Sequence, residues 1–95
     1  EYEIVRLKVP GASEQLSYQV VAAVQALRTA ELFKPPGVAE TLDWATALTI
    51  MDTQELDEQI IGDTLGVLLK YQDDVQRVQS ELLQELARRA HAYRG

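Results

Sequence analysis

Apolar residues recur at three- and four-residue spacing along most of the chain, which is the period of an amphipathic helix. The clearest run predicts a helix that begins after Ser13, its N-cap, and ends at about Ala30. A shorter run predicts a first helix over residues 1–9, and a later one predicts a third helix that begins after Gly37 and ends at about Met51. No stretch alternates between apolar and polar residues in the manner of a strand.

Two more helices follow in the second half of the chain. Asp57 is the predicted cap of a fourth helix, in which Gly62 and Gly66 each cost about 1 kcal/mol relative to alanine. We therefore expect a neighbouring helix to approach closely at both glycines. Asp73 is the predicted cap of the last helix, with Asp74 as a first-turn charge, and the helical period continues to about Tyr93. The pattern leaves open whether this helix packs on the others.

Helices joined by short loops predict an all-α fold, a small antiparallel bundle of four to five helices. A chain of 95 residues is expected to form one domain. Within it we distinguish an opening segment over 1–12, a bundle over 13–79 and a C-terminal helix extension over 80–95. The hinge between the second and third helices contains Pro35, Pro36 and Gly37, which fix the angle at which the third helix begins.

Composition narrows the classes of function. The chain has no cysteine, no apolar run long enough to cross a membrane and no signal pattern, so we expect a cytoplasmic protein without a membrane partner. Its net charge is −6, and residues 38–74 hold nine acids against one base, Lys70. This acidic middle argues against binding to nucleic acid, which requires clustered lysine and arginine.

Few residues could carry chemistry. His91 is the only histidine and is expected to be solvated near the C-terminus, and neither a Glu-x-x-His pair nor a glycine-rich phosphate loop occurs. We expect no catalytic residue and no metal ligand in these 95 residues. Lys34 is the candidate for a phosphate contact, because it precedes a rigid turn and a helix N-terminus where the N–H groups of Val38 and Ala39 can face an anion.

Two motifs resemble a known family. The segment KPPGVAETLDWATAL (34–48), followed by TLGVLLKYQDD (64–74), resembles the C-terminal lid of MoxR-type AAA+ ATPases, most closely the CoxD-like branch. The opening EYEIVRLKVPG resembles the segment that joins the nucleotide-binding core of that family to its lid. Residues 1–12 are then expected to connect to a core that lies outside this chain, and the start without methionine suggests a piece of a longer protein.

The resemblance implies a function for the whole protein. Its members bind ATP and Mg²⁺ in a core with Walker motifs, assemble as homo-hexameric rings and act as chaperones in metalloenzyme maturation, often beside a von Willebrand factor A domain protein. The lid contacts the core of its own and the neighbouring subunit. The family's second-sensor arginine aligns near Ala39 or Pro36, where this chain has none, so Lys34 is the expected substitute, with Gly37, Val38 and Ala39 as the other nucleotide-binding positions.

A different class of function is also compatible with the pattern. The chain would then be a freestanding acidic helical protein-interaction module that docks a helix or loop of a partner. Gly62 and Gly66, together with any apolar residues left over from the small core, would form its docking groove. What precedes Glu1 in the natural protein distinguishes this module from a lid.

Overall fold

The computed structural model describes residues 1–92, and within them every regular element is helical, which confirms the all-α prediction and the small helical bundle. The predicted end of the last helix near Tyr93 lies outside the described residues. The elements are α1 (Tyr2–Lys8), α2 (Glu14–Thr29), α3 (Val38–Ile50), α4 (Glu58–Leu68), α5 (Gln72–Arg77), a π-helical turn (Val78–Leu82) and α6 (Leu83–Ala92). None of these helices has the length and apolar character needed to cross a bilayer.

The helix starts follow from local side-chain chemistry. Ser13 Oγ accepts a hydrogen bond from the Leu16 N–H at 3.0 Å, and Asp57 Oδ1 accepts one from the Ile60 N–H at 2.8 Å, so both predicted caps are confirmed. The prediction that Asp73 caps the last helix is wrong. Tyr71 precedes α5 in extended conformation and Asp73 already lies in the first turn, because the chain enters the helix two residues earlier than its carboxylates suggest.

Helix α2 lies at the centre of the bundle and packs against α1, α3 and α6. The core between these helices is built from fully buried apolar side chains: Val5, Val20, Val24, Leu27, Trp44, Leu48, Leu65, Val78 and Leu86. The Trp44 indole N–H donates to Thr64 Oγ1 at 2.8 Å, which joins α3 to α4 inside the core. The loop before α4 is attached to α2, since the Leu56 N–H donates to Gln19 Oε1 at 2.8 Å.

The last helix packs on the bundle, which the sequence pattern left open. Leu86 and Ala90 on α6 are buried, and α6 contacts both α2 and α4. His91, expected to be solvated, is half-buried with its Nε2 hydrogen-bonded to the Leu56 carbonyl.

The close approach predicted at the two glycines is confirmed at Gly62 only. A Cβ at Gly62 would lie 3.2 Å from Leu83 Cδ1 of α6. At Gly66 a Cβ would meet no atom within 4 Å, so the prediction there is wrong. Positions four apart on a helix differ by about 40° in direction and about 6 Å along the axis, and α6 lies against only the first of them.

Candidate functional site

The connection between α2 and α3 carries the predicted site, and a buried carboxylate fixes its first half. Asp74 is only 2% exposed. Its Oδ1 accepts a hydrogen bond from the Phe33 N–H at 2.9 Å, and its Oδ2 accepts one from the Lys34 N–H at 3.1 Å. Because both oxygens are engaged by loop backbone, Asp74 positions the residues before Pro35 and is not a free carboxylate.

Arg28 of α2 fixes the second half of the same connection. Its Nε–H donates to the Pro36 carbonyl at 2.8 Å, and its two terminal nitrogens donate to the Glu1 carboxylate at 2.6 Å each. The Thr41 hydroxyl lies 3.1 Å from Glu1 Oε2. The hydrogen bonds from Arg28 lower the pKa of Glu1 against the opposing effect of burial, and the same pair raises the pKa of Arg28. Arg28 therefore links the opening residue, the hinge and α3.

The N-terminus of α3 already holds a carboxylate. The Gly37 N–H donates to Glu40 Oε1 at 2.8 Å, and this bond is the main reason that the pKa of Glu40 is lowered. The Gly37 amide is consequently engaged within the chain. The N–H groups of Val38 and Ala39, one and two positions further on, have no backbone acceptor in residues 1–92, and both residues are exposed. Of the three predicted backbone positions, these two keep a donor for an anion.

Two lysines flank this helix start. Lys34 is exposed, and Lys70 follows α4; the positive charges of both contribute to lowering the pKa of Glu40, with Lys70 the larger of the two. Sequence reasoning identified Lys34 and missed Lys70, because the two lysines are far apart along the chain and only the fold brings both near Glu40. The signal was present, since Lys70 belongs to the segment TLGVLLKYQDD.

The two motif segments thus contact each other through the bonds of Asp74 to the loop backbone and through the Trp44–Thr64 hydrogen bond. Each segment also supplies one lysine near Glu40. Within residues 1–92 no group of three potential metal ligands lies together. No protein-family model matches the chain, and neither a curated protein nor a solved structure does. What the chain itself provides is a helix N-terminus with two N–H groups that are free within residues 1–92, near two lysines, on a hinge that is hydrogen-bonded to α2 and α5.

Proposed function

We propose that this chain is the lid subdomain of a MoxR-type AAA+ ATPase. It closes over bound ATP and relays nucleotide state between ring subunits, in an ATP-driven chaperone for metalloenzyme maturation. The observation that supports this most is the convergence of the two motifs, since Asp74 of the second holds the backbone of Lys34 in the first. A lid transmits a change at the nucleotide as a rigid-body rotation. A hinge that is bonded to α2 and α5 moves together with those helices.

In this proposal the nucleotide phosphates approach the N-terminus of α3. The amides of Val38 and Ala39 supply hydrogen-bond donors, and Lys34 supplies the charge that an arginine provides in other lids. Lys70 adds a second cation on the same side. Gly37 contributes by having no side chain at the approach, since its own N–H is occupied by Glu40.

The remaining parts of the proposal lie outside this chain. ATP and Mg²⁺ are held mainly by the core of the full-length protein, and the lid contacts the core of its own subunit and that of a neighbour in a homo-hexamer. A von Willebrand factor A domain protein is the proposed partner in client handling. The proposed compartment is the cytoplasm.

The test begins with the natural gene. We expect the codons before Glu1 to encode a G-x-x-x-x-G-K-[ST] loop. In the full-length protein, Lys34→Ala is expected to lower kcat/KM for ATP several-fold, because a charge contact to phosphate is lost. The matched control is Lys8→Ala, which removes an exposed lysine from α1.

The outcomes separate two claims. A gene without a phosphate loop before this segment overturns the ATPase proposal. A phosphate loop together with unchanged kinetics for Lys34→Ala leaves the lid in place and removes Lys34 from the site.

A freestanding interaction module is the second candidate, and one observation favours it. Phe33 and Tyr71 are 77% and 52% exposed and lie side by side on the surface, a combination found at interaction sites. A docking groove was predicted at Gly62 and Gly66. At Gly62 no partner can dock, because Leu83 of the same chain packs there. This candidate becomes the preferred one when the gene lacks the phosphate loop.

A further inference from the structure

Two aromatic rings face solvent where the α2–α3 connection meets the start of α5. The ring centroids of Phe33 and Tyr71 lie 6.3 Å apart with an angle of 67° between the ring planes. Both side chains are more than half exposed. Neither ring is needed to fill the core, so their exposure calls for a separate explanation.

Both rings are attached to ordered backbone. The Phe33 N–H is bonded to Asp74, and Tyr71 lies three residues before Asp74 as the residue that caps α5. Asp74 therefore holds the backbone of Phe33 close to the turn of the chain that carries Tyr71. Because this backbone is already ordered, a ligand does not have to order it on binding.

A cleft opens beside the rings, and its lining carries a single charge. It has a volume of about 540 Å³ and is lined by Phe33, Tyr71, Gln72 and Asp73. Asp73 is exposed, and its carboxylate makes no hydrogen bond or ion pair within residues 1–92. The cleft thus combines two aromatic rings with an unpaired carboxylate.

None of the neighbouring cationic side chains lines this cleft. Lys34 and Lys70 are adjacent in sequence to the two aromatic residues, but neither lines the cleft and both act on the Glu40 carboxylate. Arg77 lines a neighbouring depression together with Phe33 and Asp73, and it donates to the Glu31 carbonyl at 2.7 Å. The charge that a ligand meets in the cleft itself is negative.

We propose that this cleft binds an arginine side chain presented by an extended basic segment of a partner protein. A guanidinium within about 6 Å of an aromatic centroid is attracted by the ring face, and its planar fork also pairs with a carboxylate such as that of Asp73. The net charge of −6 draws a basic segment toward the surface. This inference does not depend on the ATPase proposal, because no nucleotide takes part.

The experiment uses a defined probe on the chain as it stands. The ¹⁵N-labelled protein is titrated with the peptide Ac-Gly-Arg-Leu-Gly-NH₂, and with the same peptide carrying citrulline, a neutral isostere, in place of arginine. We expect saturable chemical-shift changes at residues 33 and 71–73 with the arginine peptide. The citrulline peptide is expected to bind about fivefold more weakly or worse, since the cation–π attraction and the ion pair are both lost.

Variants locate the interaction. Phe33→Ala is expected to weaken arginine-peptide binding about fivefold, and Asp73→Asn about threefold. The matched control, Asp63→Asn, removes an exposed acid from α4 and should leave binding unchanged. Circular dichroism checks that each variant keeps the helical fold.

Three results would overturn the inference. The first is the absence of saturable shifts at residues 33 and 71–73 up to about 20 mM peptide, a concentration that detects even very weak binding. The second is equal binding of the citrulline peptide, which would indicate apolar contact alone. The third is equal weakening by Asp63→Asn and Asp73→Asn, which would indicate diffuse charge attraction rather than recognition in the cleft.

Discussion

Adjacent carboxylates at the start of α5 have opposite environments. Asp73 is exposed and lines the aromatic cleft, whereas Asp74 is buried and holds two N–H groups of the α2–α3 connection. Their order along the chain does not reveal this difference, because both are acids in a first helical turn. The burial of Asp74 depends on a loop about forty residues earlier, which the fold places against it.

Replacing Asp74 tests how much its two hydrogen bonds to the α2–α3 connection contribute to the free energy of unfolding. In Asp74→Asn the amide keeps one acceptor oxygen and presents an NH₂ group to the other backbone donor, so one part-buried N–H loses its partner. We expect a loss of about 2 kcal/mol in the free energy of unfolding, measured by urea denaturation. Hydrogen exchange at Phe33 and Lys34 should become faster.

The neighbouring residue provides the control for this experiment. Asp73→Asn makes the same chemical change at an exposed position and should alter the free energy of unfolding by less than about 0.5 kcal/mol. Equal stability of the two variants would contradict the structural role assigned to Asp74.

At the level of elements, α4 offers two glycines in different surroundings. Gly66 lies within the helix with open space where a Cβ would stand, so Gly66→Ala should stabilise the protein by about 0.5–1 kcal/mol through helix propensity. At Gly62 the added methyl group would lie 3.2 Å from Leu83 Cδ1, and the repacking of α6 offsets that gain. Thermal and urea unfolding of the two variants give the comparison. A greater stabilisation by Gly62→Ala would contradict the packing described for α4 and α6.

The contrast between these elements indicates what sequence can predict. The starts of α2 and α4 were predictable because Ser13 and Asp57 act on their own first turns. The approach of α6 to α4 was only half predictable, because it depends on a tertiary contact. A π-helical turn, which the sequence pattern did not predict, spans Val78–Leu82, and Leu83 directly after it is the residue that contacts Gly62.

The candidate site likewise combines features that are set by local sequence with features that are set by tertiary contacts. The proline hinge and the helix start at Val38 are local features, and the sequence predicts both. The roles of Lys70, Asp74 and Arg28 are set by contacts between distant segments, so no spacing rule in the sequence identifies them. Glu40 lies in the first turn of α3, and its bond to the Gly37 amide, which competes with an anion there, is apparent only from the geometry.

For the molecule as a whole, the Glu1–Arg28 pair ties the opening segment to the bundle. The Glu1 side chain is 10% exposed and the Arg28 side chain 31% exposed, so the pair is partly shielded from solvent. The pKa of Glu1 is lowered from its ordinary value of 4.5, mainly by the hydrogen bonds from Arg28. A group whose pKa is lower in the folded state binds its proton more tightly in the unfolded state.

The pair therefore makes stability depend on pH in a defined direction. Its contribution is fully present above the unfolded pKa of Glu1 and is lost as the pH falls through the lowered pKa of the folded state. We expect Glu1→Gln to cost on the order of 1–2 kcal/mol at neutral pH and to reduce the loss of stability on acidification. Some acid dependence remains, since the pKa of Glu40 is lowered as well.

Unfolding free energies at about pH 7 and about pH 3 measure this effect. The control is Glu3→Gln, which removes an exposed carboxylate from α1 in the same part of the chain. We expect the control to keep the acid dependence of the wild-type protein and Glu1→Gln to reduce it. If both variants follow the wild-type curve, the pair contributes little to stability, and the attachment of α1 to the bundle rests on its buried Val5 instead.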